Sequence, residues 1–308
     1  MSKKQNRKDV TLEKLMDSLK RNPEVLICGP SGSDQNHMRV YAHGGVICKL
    51  PLTERSEVKL PDRKYVEEHT DDPKDLGAEY DRAIKNAAGK IRFIAEHMST
   101  LIDAAGRRYA GREREKQTVI SLKNQDCTPG HTFVFDIETA VSAEEYSQAS
   151  EGKKQKIPNF DIAALTVPKD VTDEWTLWVI ELKCNSSACY NASSGIAAHA
   201  VDMSLLENPG LKSQVIDKLR CRLDDLIKHG VFPGELKDNM SRAKGVDMQK
   251  AFLFTAGTGL EDSEKAKNIC RKKLSEDQLD KFRYLFCEKP EDVDLSKFWE
   301  WKDFSKQK

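Results

Sequence analysis

No part of this 308-residue sequence approaches the roughly 18 consecutive apolar residues that a membrane-spanning helix requires. The first residues, MSKKQNRKDV, also lack the apolar core of a secretory signal, so we expect a cytoplasmic protein without membrane contact. The eight cysteines form no C-x-x-C pair, which favours reduced thiols. Fifty basic and fifty acidic residues cancel, so any surface that binds a polyanion must be local.

The N-terminal part of the chain combines one helical pattern with short apolar runs. The segment VTLEKLMDSLKR has helical spacing, and the runs MRVYA and VICKL flank His43-Gly44-Gly45, which is typical of a hairpin turn. Residues 53–76 are charged and contain two prolines, as expected of a linker. We therefore predict a small α+β region with a charged linker over 1–76, and one long connecting helix over 77–106.

Residues 107–308 are predicted to form an α/β domain. A helix over 109–122 is followed by three strand-like segments, TFVFDIETAV, FDIAALTV and WTLWVIELKC. A helix from about Lys212, the strand AFLFTA, a glycine turn, another helix over 263–282 and the strand RYLFC come next. This order predicts a mixed sheet flanked by helices.

The segment WTLWVIELKCN raises the question of why an apolar strand ends in two charged residues. Both of its alternating faces are apolar up to Glu181, which predicts a central strand covered on both sides. Because side chains alternate with a period of two, Glu181 and Lys183 lie on the same face. The sequence thus places a carboxylate beside an ammonium group at the end of a buried strand.

The preceding strand, FDIAALTV, carries its one charge at Asp161. Residues 168–174 are polar and predict a turn, and a hairpin centred on that turn sets Asp161 opposite Glu181. Two facing carboxylates repel unless a cation lies between them. Mg²⁺ held by Asp161, Glu181 and the Leu182 carbonyl would remove that repulsion, with Lys183 orienting a water molecule. The alternative is a strand-end ion pair and a turn-capping aspartate.

Asp161 followed by Glu181-Leu182-Lys183 resembles the D…E-x-K signature of the PD-(D/E)XK nuclease superfamily, which includes restriction endonucleases and RecB-like nucleases. The resemblance implies a restriction-endonuclease-like fold, with Asp161 and Glu181 binding Mg²⁺, or Mn²⁺ as a substitute. It implies that Lys183 serves the attacking water. A glutamate on the preceding helix often joins such sites, and the candidates are Glu113, which we prefer, and Glu115.

Gln214 matches in position the glutamine of RecB-like members, although the tyrosine found four residues later in that motif is replaced by Lys218. The residue before Asp161 is Phe160 instead of proline. Asp136 and Glu138 are either further acidic residues of the site or edge positions. The turn AGTG at 256–259 lacks the Lys-Ser/Thr of a P-loop, so a plain strand-to-helix turn is favoured over a nucleotide site.

The resemblance implies a metal-dependent nuclease that hydrolyses phosphodiester bonds of nucleic acid. DNA is the expected substrate in preference to RNA, and the expected setting is antiviral defence or restriction. An alternative is a catalytically inactive subunit of the same fold that binds nucleic acid or protein. Residues 1–106 are expected to bind a regulatory protein partner or to form a homo-oligomer.

Overall fold

The computed structural model describes residues 10–31, 34–68, 70, 73–140, 159–257 and 259–307. The chain divides into two compact units, of which unit 1 comprises Met1–Ile27 and Asn36–Glu115, and unit 2 comprises Cys28–Gln35 and Lys116–Lys308. The segment Cys28–Gln35, predicted within the N-terminal region, thus groups with unit 2. The Ser31 hydroxyl explains part of this grouping, because it donates to the Glu138 carbonyl and accepts from the Ala140 amide.

Unit 1 is a three-stranded sheet with several helices. Its elements are α1 (Leu12–Arg21), β1 (Leu26–Cys28), β2 (His37–Ala42), β3 (Gly45–Pro51), α2 (Arg63–Glu68), α3 (Pro73–Ala83), α4 (Ala87–Glu96) and α5 (Met98–Tyr109). The strands are ordered β1-β2-β3. The predicted hairpin turn is confirmed: Ala42 pairs with Gly45, and His43 (φ 46°) and Gly44 (φ 84°) both have the left-handed backbone that a two-residue turn requires.

The long helix predicted over 77–106 is wrong, because α3, α4 and α5 cover this region as separate helices. The apolar spacing continues through the breaks, which is why the sequence pattern does not reveal them. Asn86 starts α4 by accepting a hydrogen bond from the Gly89 amide, and His97 (φ -116°, ψ 20°) separates α4 from α5. The predicted linker over 53–76 also contains α2, whose start is capped by Asp62 through the Lys64 amide.

Unit 2 is built on a six-stranded mixed sheet. In chain order the elements from the unit boundary onward are α6 (Glu113–Lys123), β4 (Thr132–Thr139), β5 (Phe160–Thr166), β6 (Trp175–Lys183), α7 (Ser186–Tyr190), α8 (Ile196–Ser204), a short 3₁₀ turn (Leu205–Glu207), α9 (Pro209–Lys228), α10 (Glu235–Arg242), β7 (Val246–Thr255), α11 (Ser263–Lys273), α12 (Glu276–Leu279), β8 (Arg283–Cys287), a second 3₁₀ turn (Pro290–Asp292), β9 (Trp299–Glu300) and α13 (Trp301–Phe304).

The sheet has the order β4-β5-β6-β7-β8-β9. Strands β4, β5 and β6 are antiparallel, β6, β7 and β8 are parallel, and β9 is antiparallel to β8. The predicted mixed α/β sheet flanked by helices is confirmed. Strand β6 is central, as expected from its apolar faces, and the large side chains buried in the core of unit 2 include Trp175, Phe133, Phe160, Phe252 and Tyr284.

Several elements of unit 2 were not predicted from the sequence. Helices α7 and α8 fill the stretch between β6 and α9, and α10 precedes β7. The single helix predicted over 263–282 is two helices, because Ser275 and Gln278 form a capping box that starts α12. No helix in the described part of the chain has both the length and the apolarity to cross a membrane, and all eight cysteines are free thiols.

Candidate functional site

The pairing of β5 with β6 brings Asp161 and Glu181 together at one end of the two strands. The ladder pairs Ile162 with Ile180 and Ala163 with Val179, which confirms the predicted register. One further step of the same register sets Asp161 opposite Glu181. Directly opposite residues of an antiparallel pair project from the same face, so both acidic residues belong to one face of the sheet.

Glu181 and Lys183 form a buried ion pair on that face. Their side chains are 5% and 4% exposed, and Lys183 Nζ lies 2.7 Å from Glu181 Oε1. Lys183 Nζ also donates to the Ser194 carbonyl at 2.9 Å. Burial of an isolated charge costs several kcal/mol, so each partner stabilises the charged form of the other. The predicted side-by-side placement of these two residues is confirmed.

Asp161 is half-buried and accepts two hydrogen bonds that fix both of its oxygens. Its Oδ1 accepts from Gln117 Nε2 at 2.9 Å, and its Oδ2 accepts from the Leu182 amide at 2.7 Å. The second contact ties the end of β5 to the end of β6 through a side chain. Leu182 was predicted to contribute its carbonyl; the structure shows that its amide orients Asp161.

Gln117 was not predicted as a site residue, and it is fully buried on α6. Its side-chain Oε1 is buried with no hydrogen-bond partner in the described part of the chain, while Nε2 is bound to Asp161. Buried polar atoms are nearly always satisfied in folded proteins. This oxygen is therefore an acceptor that lies next to the candidate site and has no donor in the described part of the chain. The sequence indicated only that Gln117 lies on the same helical face as the candidate residue Glu113.

The two glutamates considered on α6 lie at its start. Glu113 is the first residue of the helix and is exposed, one turn before Gln117. Glu115 Oε2 accepts a hydrogen bond from the Gly111 amide at 2.6 Å and thereby satisfies a backbone N–H group just before the helix. The residue that this helix brings to Asp161 is Gln117.

His199 also contacts the site, and it was not predicted as a site residue because α8 was not predicted from the sequence. Its Nε2 lies 3.1 Å from Glu181 Oε1. Burial and then the neighbouring Lys183 ammonium lower the pKa of His199 to about 4, although hydrogen bonding to the Ser194 backbone raises it. The imidazole is therefore neutral at pH 7, and the charge that balances Glu181 is that of Lys183.

Gln214 lies half-buried on α9, and no hydrogen bond within the described residues joins it to Glu181 or Lys183. The interior face of this helix is formed by Leu211, Val215 and Leu219. The same helix supplies Arg222, which donates to Asp136 Oδ2 at 2.9 Å in a buried ion pair. Asp136 is therefore engaged in a buried ion pair with α9.

Glu138 occupies the β4 position opposite Asp161. The ladder pairs Ile137 with Ile162 and Thr139 with Phe160, and Glu138 falls between them with φ 51°. A non-glycine residue with positive φ is uncommon and often marks a functional or strained position. Among the described residues, no group of three or more histidine, cysteine, aspartate or glutamate side chains is arranged to hold a metal ion.

Comparisons of the chain with protein-family models, curated proteins and solved structures gave no match. The function is therefore inferred from the site alone.

The glycine turn after β7 supports the end of β6. A Cβ on Gly257 would overlap the Cys184 carbonyl oxygen, so no larger residue fits there. The amides of Ala256, Gly257 and Leu260 donate to carbonyls of the protein. This use of the amides favours a plain strand-to-helix turn over a phosphate-binding loop.

The arrangement combines two acidic side chains, a buried ammonium group and a buried amide oxygen. Acidic and carbonyl oxygens are the ligands that hard divalent cations prefer. A lysine held by a carboxylate is a fixed positive charge close to the same face. These groups suit the hydrolysis of a phosphate ester, in which negative charge develops on the phosphate oxygens.

Proposed function

We propose that the chain is a metal-dependent nuclease with a restriction-endonuclease-like fold in unit 2, and that it hydrolyses phosphodiester bonds of nucleic acid, with DNA favoured. The observation that carries the proposal is the meeting of Asp161 with the buried Glu181–Lys183 pair at the ends of β5 and β6. An ion pair that served stability alone would not require a third charged residue on the same face.

The residues present fit Mg²⁺ or Mn²⁺. Asp161, Glu181 and the Leu182 carbonyl would hold the ion, which matches the preference of both metals for oxygen ligands. The buried Gln117 Oε1 supports this fit because a nearby cation would satisfy an oxygen that has no partner in the described part of the chain. When bound, such an ion would stabilise negative charge on the phosphate.

The side chains of this chain have separate tasks in the proposed reaction. Lys183 Nζ would orient the attacking water and is itself held by Glu181 Oε1 and the Ser194 carbonyl. Gln117 and the Leu182 amide fix both oxygens of Asp161 before any ligand binds. Such preorganisation reduces the rearrangement that the site must undergo during reaction. The predicted participation of Glu113 stays a prediction, and the residue of α6 that contacts Asp161 is Gln117.

One observation favours a second candidate, an inactive subunit of the same fold that binds nucleic acid or protein. Lys183 and Asp161 are already satisfied by Glu181, Ser194, Gln117 and Leu182, so the charged groups form a closed network. Such a network stabilises a fold without any catalysis. A cytoplasmic antiviral setting, and a regulatory partner or homo-oligomer formed through residues 1–106, remain predictions.

The proposal is tested by incubating the purified chain with supercoiled plasmid, linear duplex, single-stranded DNA and RNA, in Mg²⁺, Mn²⁺ or chelator. Lys183→Met is compared with Lys237→Met, a matched control because Lys237 is an exposed lysine of α10. We expect metal-dependent cleavage that the control retains and Lys183→Met loses. Binding without cleavage of any substrate in either metal would favour the inactive subunit.

A further inference from the structure

Unit 1 contains a cavity of about 300 Å³ that the proposed nuclease chemistry does not use. Residues of β3, of α2 and its preceding turn, and of the stretch from the end of α5 onward surround it. The polar and aromatic side chains that line it are Lys49, Asp62, Tyr65, Arg108, Tyr109 and Arg114. This volume lies at the lower end of the range for small-ligand sites.

The charge of this cavity is mainly positive. Its lining contains three basic residues and one acidic residue, Asp62. The Asp62 carboxylate is engaged elsewhere, because its Oδ1 accepts from the Lys64 amide at 2.8 Å and caps α2. The lining therefore carries more basic than acidic side chains.

Arg108 is held by aromatic rings instead of by carboxylates. Its guanidinium carbon lies 5.0 Å from the centre of the Tyr65 ring and 5.7 Å from that of Tyr109. Within the described residues its side chain makes no hydrogen bond and no ion pair. By contrast, Arg63 of the same unit contacts both Glu67 and Asp81. Contacts with ring faces position a guanidinium while leaving its in-plane N–H donors available to a ligand.

We infer that this cavity binds a phosphate monoester. A guanidinium group presents paired N–H donors that match two phosphate oxygens, and Lys49 and Arg114 add charge that suits a dianion. The cavity volume fits a ligand about the size of a nucleoside monophosphate. The monoester comes either from a free nucleotide or from the terminal phosphate of a nucleic-acid strand. The inference does not depend on the nuclease proposal, because it involves unit 1 alone.

The test is isothermal titration of the full-length protein in chelator, so that metal-dependent cleavage does not contribute. The probes are adenosine monophosphate, inorganic phosphate, and one short single-stranded oligonucleotide prepared with a 5′-phosphate or with a 5′-hydroxyl. We expect Arg108→Gln to weaken binding of the phosphorylated probes about 10- to 100-fold, as loss of charge-assisted hydrogen bonds does. Lys49→Gln is a second variant that should also weaken binding of the phosphorylated probes. It keeps the test possible if Arg108→Gln does not fold.

Arg82→Gln is the matched control, because Arg82 is an exposed arginine of unit 1 that does not line the cavity. Binding of the mononucleotide identifies a free ligand as the source. Binding of the oligonucleotide only with its 5′-phosphate identifies a strand end. Absence of phosphate-dependent binding at millimolar concentration with every probe would overturn the inference, as would equal affinity in the wild type and both cavity variants.

Discussion

Lys183 Nζ lies 2.7 Å from Glu181 Oε1, and both side chains are almost completely buried at the end of the central strand β6. The two residues are separated by one position, so the strand itself fixes their spacing. The chain thus buries two charges where apolar residues of similar volume often give a sheet of equal or greater stability. The proposed function gives these two charges a role beyond stability.

Replacement of Lys183 by methionine should lower the free energy of unfolding by about 3 kcal/mol, because Glu181 would keep a buried charge without its cation. The Lys183→Met, Glu181→Gln double variant should recover part of that loss, since it removes the uncompensated charge. Urea unfolding at pH 7 measures both. Equal stability of Lys183→Met and the wild type would show that the pair is solvated in solution.

Gln117→Glu should make stability dependent on Mg²⁺. The substitution places a second carboxylate within hydrogen-bonding distance of Asp161, and the repulsion between the two groups destabilises the metal-free protein. A divalent cation that binds the folded state between these carboxylates restores stability by mass action. Differential scanning fluorimetry should show a larger Mg²⁺-dependent rise in Tm for the variant than for the wild type.

Gln125→Glu is the control for that experiment, because Gln125 lies on the same stretch of chain but donates to backbone carbonyls, including that of Val134. Its Tm should not respond to Mg²⁺ more than that of the wild type. If Mg²⁺ leaves the Tm of Gln117→Glu unchanged, Gln117 does not face a cation site.

Gly257→Ala should destabilise unit 2 by about 2 kcal/mol or more, because the new Cβ would overlap the Cys184 carbonyl and displace the end of β6. Gly234→Ala is the matched control: Gly234 has φ -61° and ψ -34°, and apart from its chain neighbours no heavy atom of the described residues lies within 4 Å of a Cβ placed there. Alanine there should be neutral or slightly stabilising. Thermal unfolding of the two variants compares these effects, and similar Tm values would contradict the close packing at Gly257.

Strands β4 to β8 and the register of β5 with β6 could be predicted from the sequence because both depend on local patterns, whereas the two-residue strand β9 was not predicted. The β-branched and aromatic residues of the segment identified β6, and the polar turn at 168–174 set the register that aligns Ile162 with Ile180. The breaks between α3, α4 and α5 could not be predicted from apolar spacing, since they depend on the Asn86 cap and on His97.

Part of the candidate site could not be predicted because it depends on contacts between distant segments. Gln117 reaches Asp161 from another element, and His199 reaches Glu181 from a helix with weak sequence signals. Gln214 was selected by family analogy, and its position on α9 gives it no hydrogen bond to Glu181 or Lys183 within the described residues. Helix spacing determines which face a residue occupies, whereas the partner of that face is set by tertiary packing.

If Asp161 takes part in the proposed reaction, Asp161→Asn should lose cleavage that Asp247→Asn retains. Asp247 is a suitable control because it is a part-buried carboxylate of the same sheet whose Oδ1 pairs with Lys212 at 2.5 Å. The rate of plasmid cleavage in Mg²⁺ is measured at equal concentrations of folded protein. We predict that Asp161→Asn loses cleavage by about 100-fold or more while Asp247→Asn keeps it. Cleavage by Asp161→Asn at the wild-type rate would contradict the assignment.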